Sequence, residues 1–573
     1  MDPASEVSLK RFASSSNREG LSGGNSGIIC LVFVSVLIAY SAFIYCSEKA
    51  GLSLDEIYSY GLSNSYYEPF LKSVADGDLI GKVMTKEQMN SYIMVDRSGW
   101  DSFAYDSVYY NQTQDVHPPL FYFALHTVSS FFPGIYSKWM GLAVNLIFFA
   151  ATLFLVYALS NFLFGNRLLS AVAVALYGLS PIGLSTVLLI RMYMLLTFLT
   201  VALALLVAKM LVAPKRWHYP LLSFLILTGL MTQYFFVFYT FILSAFYVLY
   251  CLWKKRWKDV LTFSIFAFGG VGLFVLAWPA CFTHLFGSDI VSGSTVASNA
   301  TDPMSMLYRV KSLLKEMIAQ APAVMAVGML AFVSVLVGAL TQKAKTKERL
   351  PGLNVAVLVL LPALIACIAI AITSPYDSPR YIYHLVPLLS TTAVVFLFAA
   401  LEAFERKASE KTSSPAPTTP PMSKKITHSD SFQNSICLLV ILTSFASTLS
   451  IAPSWLNLEC ARSKEAISPF KDSPCIYVTD NVNPPATLNL FELAHFDDVL
   501  FIDEATAAST TIDYLKRHGQ KDDVIVFIAS YPDAKDENAV LDEMHVVSGK
   551  KDHEELYRGD ISAAYRLYGG TTA

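Results

Sequence analysis

The sequence predicts a polytopic α-helical membrane protein with a small C-terminal α/β domain, and three observations predict it. Across 573 residues the chain is 54% hydrophobic and only 15% charged, with a mean hydropathy of +0.47, which leaves too little polar surface for a soluble protein of this length. Apolar runs recur from Ile28 to Ile451, most of them of spanning length. Beyond Ile451 the composition becomes that of a water-soluble fold. The net charge of −3 offers no basic surface for nucleic acid, so the basic residues are read by position.

Residues 1–27 are polar and carry Lys10, Arg11 and Arg18 ahead of an apolar run, Ile28 to Cys46. That run is longer than the apolar stretch of a cleaved leader, and no small-x-small cleavage site follows it closely. It reads as an uncleaved first span with a cytoplasmic N-terminus. Ten further apolar runs follow: Trp139–Phe164, Leu168–Ile190, Met192–Val212, Tyr219–Thr232, Tyr234–Leu252, Val260–Phe282, Pro322–Leu340, Leu353–Thr373, Tyr381–Leu401 and Ser435–Ile451. Leu120–Phe132 is too short to cross and contains His126, so it is expected to lie at the interface. With eleven spans, the basic segments at Asn166-Arg167, Lys215-Arg216, Lys254 to Arg256, Lys343 to Arg349 and Arg406-Lys407 all fall on the cytoplasmic side.

The same count places the first loop, the turns at Arg191 and Arg380, the loop before Pro322 and the C-terminal region outside. Two Asn-x-Thr sequons, at Asn111 and Asn299, lie there too, a weak signal on its own. In the second outer loop Leu307, Val310, Leu314, Met317 and Ile318 recur at helical spacing opposite Lys311 and Lys315, the pattern of an interfacial helix. Ser409 to Lys425 is a Ser/Pro/Thr tract that cannot bury a core. The chain thus divides into a cytoplasmic tail (1–27), a transmembrane domain (28–452) and an extracytoplasmic α/β domain (453–573). Within the transmembrane domain lie outer loops at 47–138 and 283–321 and a cytoplasmic linker at 402–434.

In the last domain the β-rich runs from Cys475, Val499 and Val524 alternate with helix-like stretches around Thr511 to His518 and Glu537 to Met544. Cys460 and Cys475 are the two cysteines outside apolar spans, and a disulfide between them is one reading in an oxidising compartment. Asp480 follows the first strand and is either a ligand or a solvated acid, the second being the commoner case. The cysteines show no zinc-like spacing.

Polar groups cluster at the ends of the first outer loop. Asp55-Glu56-Ile57-Tyr58 follows the first span, and Asp115-Val116-His117-Pro118-Pro119-Leu120 closes the loop. Polar groups at a lipid boundary are usually functional. Arg191-Met192-Tyr193-Met194 and Ser378-Pro379-Arg380-Tyr381 stand at two later helix boundaries. Taken alone, each arginine also suits snorkelling at a helix end, and each tyrosine an interface anchor.

The ordered set, spanning roughly residues 28 to 400, resembles the integral-membrane GT-C glycosyltransferases, in particular the family 39 group of protein O-mannosyltransferases and aminoarabinose transferases. The resemblance implies transfer of a sugar from a polyprenyl-phosphate donor to an acceptor hydroxyl at the outer membrane face. It assigns Asp55 as general base with Glu56 beside it. His117, Arg191 and Arg380 would bind the donor phosphate, and Tyr58, Tyr193 and Tyr381 would line the substrate. The implied partners are the polyprenyl-phosphate sugar, the membrane lipid, and a lipid, glycan or protein acceptor.

No cofactor is expected to be required, although the Asp55–Glu56 pair can recruit a divalent metal. The C-terminal domain departs from the sugar-binding-like repeats of the eukaryotic mannosyltransferases, so a bacterial enzyme of the cell envelope fits better. The competing class is a transporter or flippase of a lipid-linked envelope precursor. Its signature of midplane charges and repeated halves is absent from these spans.

Overall fold

The computed structural model describes residues 24–67, 79–286, 302–341, 353–412, 428–480, 489–503, 506, 508–519, 521–530, 535–559 and 561–569. Most of the N-terminal tail, the sequon at Asn299, the basic segment Lys343 to Arg349 and most of the Ser/Pro linker lie outside these residues. The chain forms two compact units. One comprises the residues up to Cys46 together with Asn145–Ser454, the other Ser47–Val144 together with Trp455–Ala573.

The first unit is helical, and its architecture follows from chain segments too apolar to face water. Among the described residues, eight helices are long and apolar enough to cross a membrane, and ten if each of two bent pairs counts as one span. These include Lys138–Phe164, Tyr193–Val212, Leu353–Thr373 and the run Pro379–Phe404. His218–Leu230 is a shorter apolar helix, separated from Phe236–Trp253 by a turn around Gln233. Each of the eleven apolar runs therefore carries a helix, although the spans that stand on length alone number eight. The chain is a multi-pass membrane protein.

Both bends have a proline cause. Arg167–Gly178 and Pro181–Leu188 meet at 59°, with the Ser180 hydroxyl accepting from Gly183 N–H and Pro181 at the first helical position. Pro303–Gln320 and the helix starting at Pro322 meet at 105°. Pro303–Gln320 is the amphipathic helix read from the sequence. Of its apolar face only Met317 is buried, while Leu307, Leu314 and Ile318 stay exposed and suit a lipid boundary.

The second unit joins two distant parts of the chain. Its sheet has the order β1-β3-β2-β4-β6-β5, where β1 is Val83–Thr85, β2 Cys475–Val478, β3 Asp498–Ile502, β4 Val524–Ala529, β5 Asp552–Arg558 and β6 Ser562–Tyr568. β2 pairs in parallel with β3 and β4, and these strands are buried almost throughout. That is why they read as continuous apolar runs instead of alternating ones. Helices Ala508–Arg517 and Glu537–Ser548 supply Tyr514, Val540, Leu541 and Met544 to the core against Ile476, Leu500 and Val526.

β1 comes from the loop after the first span and pairs antiparallel with β3. The sequence segmentation kept residues 47–138 with the spanning helices; in the structure they belong with the C-terminal sheet. The Cys460 and Cys475 thiols are both free, which answers the question the sequence left open. Cys475 lies inside β2, where burial pushes its thiol well up.

Leu120–Ser130 forms an 11-residue helix that packs with Leu54–Asn64 and Tyr105–Thr113. Asn111 is fully buried here, its amide donating to Ser65 O at 2.6 Å and Leu62 O at 3.3 Å. A side chain so engaged is not available as a glycan acceptor in the folded protein.

Candidate active site

In the second unit the site begins where the first span ends. The helix Gly24–Glu48 stops, and after a short turn the helix Leu54–Asn64 starts, with Asp55 and Glu56 in its first turn. Asp55 is half-buried there, close to the positive end of the helix dipole, which favours a carboxylate.

The two adjacent acids have different surroundings. Glu56 is fully buried and accepts from the backbone N–H of Ser53 at 2.8 Å and from its hydroxyl at 2.9 Å, the carboxylate half of a capping box. Its other oxygen lies 2.9 Å from Lys49 Nζ, and both side chains are 0% exposed. Adjacent helical residues point about 100° apart, so the turn can send Glu56 inward without taking Asp55 with it. Tyr58 is half-buried one residue past Ile57.

At the other end of the loop, His117 Nδ1 lies 2.8 Å from Asp115 Oδ2. The bond orients the ring through Nδ1. Pro118 and Pro119 are buried, and Pro119 stands at the N-cap of Leu120–Ser130.

In the first unit, Arg191 lies in the break between Pro181–Leu188 and Tyr193–Val212 and is 5% exposed. Its own N–H turns back to Leu189 O at 2.7 Å. Asn145, buried in the helix Lys138–Phe164, donates to Val187 O at 2.9 Å and Leu189 O at 2.8 Å. It thereby satisfies carbonyls that the end of the helix leaves open.

Arg380 is in the 3₁₀ segment Pro379–Leu385, which packs on Tyr193–Val212. The guanidinium carbon sits 5.3 Å from the Tyr381 ring centroid, within cation–π range. Tyr193 meets Tyr381 edge-on at 6.4 Å and Tyr383 at 6.2 Å, and Phe235 meets Tyr381 at 5.2 Å. The turn that carries Arg191 and the turn that carries Arg380 are thus joined through aromatic rings. Behind them Arg309 donates to Ser374 O at 2.5 Å, and the Ser312 hydroxyl to Asp377 at 2.8 Å, tying the amphipathic helix to the approach to Pro379.

The structure therefore groups Asp55, Glu56 and Tyr58 on one turn, pairs His117 with Asp115, and gathers Arg191, Tyr193, Arg380 and Tyr381 in the other unit. Sequence reasoning missed Lys49, Asn145, Tyr383 and Asn457 as supporting residues. Asn145, an amide near the start of a long apolar span, carried the clearest signal. Among the described residues no three of His, Cys, Asp and Glu converge. The Glu56 oxygens are taken by Lys49 and Ser53, so a metal at this turn would depend on Asp55.

No protein-family model matches the chain, and no curated protein is significantly similar in sequence. Two solved structures of ArnT from Cupriavidus metallidurans resemble it. One, bound to undecaprenyl phosphate, is 12% identical with a TM-score of 0.47, and the other, in the apo state, is 13% identical with a TM-score of 0.48. Each alignment covers 95% of this chain and 98% of the ArnT chain. Likeness at this level carries no weight on activity, and the functional reading rests on the residues themselves.

Proposed function

We propose that this protein is a membrane glycosyltransferase that moves a sugar from a polyprenyl-phosphate donor to an acceptor hydroxyl. The observation that carries the reading is the joining of the Arg191 and Arg380 turns through Tyr193 and Tyr381 at the ends of spanning helices. A lipid phosphate resides at that kind of boundary. Two guanidinium groups meet it with charge-assisted hydrogen bonds, and the tyrosines offer apolar faces with polar tips.

In the reaction the acceptor O–H proton passes to the Asp55 carboxylate while the acceptor oxygen bonds to the anomeric carbon. The bond from that carbon to the phosphate oxygen breaks, and polyprenyl phosphate leaves with the electron pair. Its departing oxygen gains negative charge, which cationic side chains stabilise, with Arg191, Arg380 and His117 as the candidates. Glu56 stays with Lys49 and Ser53. On this reading the reaction and the C-terminal domain lie on the outer side, with the basic turns in the cytoplasm.

The test is incubation of purified protein with a panel of polyprenyl-phosphate hexoses and pentoses, with release of polyprenyl phosphate measured in the presence and absence of candidate acceptors. Turnover of one member supports the reading. Vesicles in which the protein moves a lipid-linked sugar across the bilayer, with no cleavage, would replace it with the transporter class.

A further inference from the structure

The turn that presents Asp55 is held by residues about 400 positions away, within the same unit. Lys49 Nζ donates to Trp455 O at 2.6 Å as well as pairing with Glu56. Asn457 Nδ2 donates to Gly51 O at 3.1 Å and to Glu56 Oε2 at 3.3 Å, and Ala50 N–H donates to Leu456 O at 2.8 Å. Every residue from Trp455 to Asn457 thus bonds back to the 49–56 turn. Lys138, at the start of its helix, adds a bond from Nζ to Ser47 O at 2.8 Å.

The fit leaves no slack. A Cβ at Gly51 would collide with the side chain of Cys460. Trp455 and Asn457 adopt φ of 72° and 50°, left-handed conformations that non-glycine residues seldom take and that persist where surrounding contacts enforce them. Lys49 and Glu56 are both wholly buried, so removing one partner strands the other charge in a dry environment.

We infer that Trp455–Asn457, the entry to the C-terminal domain, is a latch that sets the orientation of Asp55, with Lys49, Glu56 and Asn457 as positioning residues. The inference rests on Asp55 being the base of the proposed transfer. It gives the C-terminal domain a part in the reaction without any contact to substrate. Helix Leu54–Asn64 is short and the reacting proton must be met within hydrogen-bond reach, so a small tilt of its first turn is enough to slow the chemistry.

The experiment uses the full-length protein in detergent or nanodiscs as Lys49→Met, Glu56→Gln, Lys49→Met/Glu56→Gln and Asn457→Gly variants. Glycine at 457 keeps the left-handed backbone and removes only the amide. Two quantities are read: hydrogen exchange of the Glu56 and Ile57 amides, which needs no substrate, and single-turnover rate on whichever panel donor the wild type cleaves. The latch predicts at least fivefold faster exchange in Asn457→Gly and Lys49→Met. It predicts about tenfold slower turnover with donor affinity within twofold, and a double variant less impaired than either single one.

Unchanged exchange in both Asn457→Gly and Lys49→Met overturns the latch. So does a double variant no faster than Glu56→Gln alone when Lys49→Met turns over normally, since Glu56 would then act in the chemistry. A wild type that cleaves no panel donor defeats the glycosyltransferase reading, and exchange still decides the latch.

Discussion

Asn145 and Leu189 share a buried hydrogen bond: the amide of Asn145 donates to the carbonyl of Leu189 at 2.8 Å, two residues before Arg191. The same amide nitrogen reaches Val187 O at 2.9 Å, so one side chain from a neighbouring span closes the end of the broken helix. Asn145→Ala takes the amide from Val187 O in an apolar interior and leaves Leu189 O with the Arg191 N–H, at about 1–3 kcal/mol for a buried group left unsatisfied. The Arg191 turn should loosen, and affinity for polyprenyl phosphate should fall roughly tenfold, the equivalent of about 1.4 kcal/mol. Lipid binding to detergent-purified variant and wild type checks this. Unchanged affinity in a destabilised variant would mean that Asn145 supports the fold and leaves the phosphate site alone.

Asp55 and Arg380 should fail in different ways. Asp55→Asn keeps the shape and removes the proton acceptor, so turnover should drop by about 10² to 10⁴ with donor affinity preserved. Arg380→Ala removes a charge-assisted contact, so donor affinity should fall, and turnover with it if the contact tightens as the phosphate leaves. Arg380→Lys should rescue poorly because the planar two-pronged geometry is lost. Donor affinity and single-turnover rate measured on all three variants separate these outcomes. Near-normal turnover in Asp55→Asn would remove the base assignment.

The helices and the three parallel strands were legible because apolar run length and turn chemistry are local properties. The run Leu353–Thr373 gives a helix with those same ends, and β2, β3 and β4 fall within a residue or two of the apolar runs that announced them. Val83–Thr85 was not legible as a strand, since three residues with no apolar alternation become one only by pairing with β3. Asp55 and Glu56 look equivalent in sequence. What separates them is Lys49 on the near side of the turn and Asn457 on the far side of the chain, contacts that no local pattern encodes. Likewise Arg191 and Arg380 stood out at helix boundaries, while the Tyr193–Tyr381 contact that joins their turns is a tertiary fact.

Metal dependence follows from the same geometry. With Glu56 held by Lys49 and Ser53, Asp55 contributes one carboxylate, which is a poor site for a hard divalent cation that takes six or more oxygen ligands. The proposed transfer should therefore proceed at an unchanged rate after treatment with chelator. Loss of activity with chelator and recovery with magnesium or manganese would show that the cationic clamp is incomplete without an ion and would recast Asp55 as a ligand.

The C-terminal domain should respond to acid through Glu537. Arg558 holds this carboxylate with two bonds, Nη1 to Oε1 at 2.7 Å and Nη2 to Oε2 at 2.8 Å, and the Tyr565 hydroxyl donates to it as well. The Arg558 bonds, followed by that of Tyr565, bring Glu537 down to about 2, below the usual glutamate value near 4.3. A depressed folded value means that its stabilisation is present above about pH 4.3 and is lost as pH falls from there toward 2. Glu492 works in the opposite sense. Burial raises its folded value, so what it contributes is complete below about pH 4.3 and declines as pH rises through the raised value. Glu537→Gln should therefore destabilise the domain at pH 7 by about 1 kcal/mol or less, because the pair is partly exposed, and should remove part of the acid sensitivity. Glu492→Gln should stabilise at pH 7 and leave the acid limb as it was. Thermal unfolding of the full chain at pH 3, 5 and 7 reads both variants, and equal losses for Glu537→Gln at pH 3 and pH 7 would exclude the Arg558 pair as a source of the acid response.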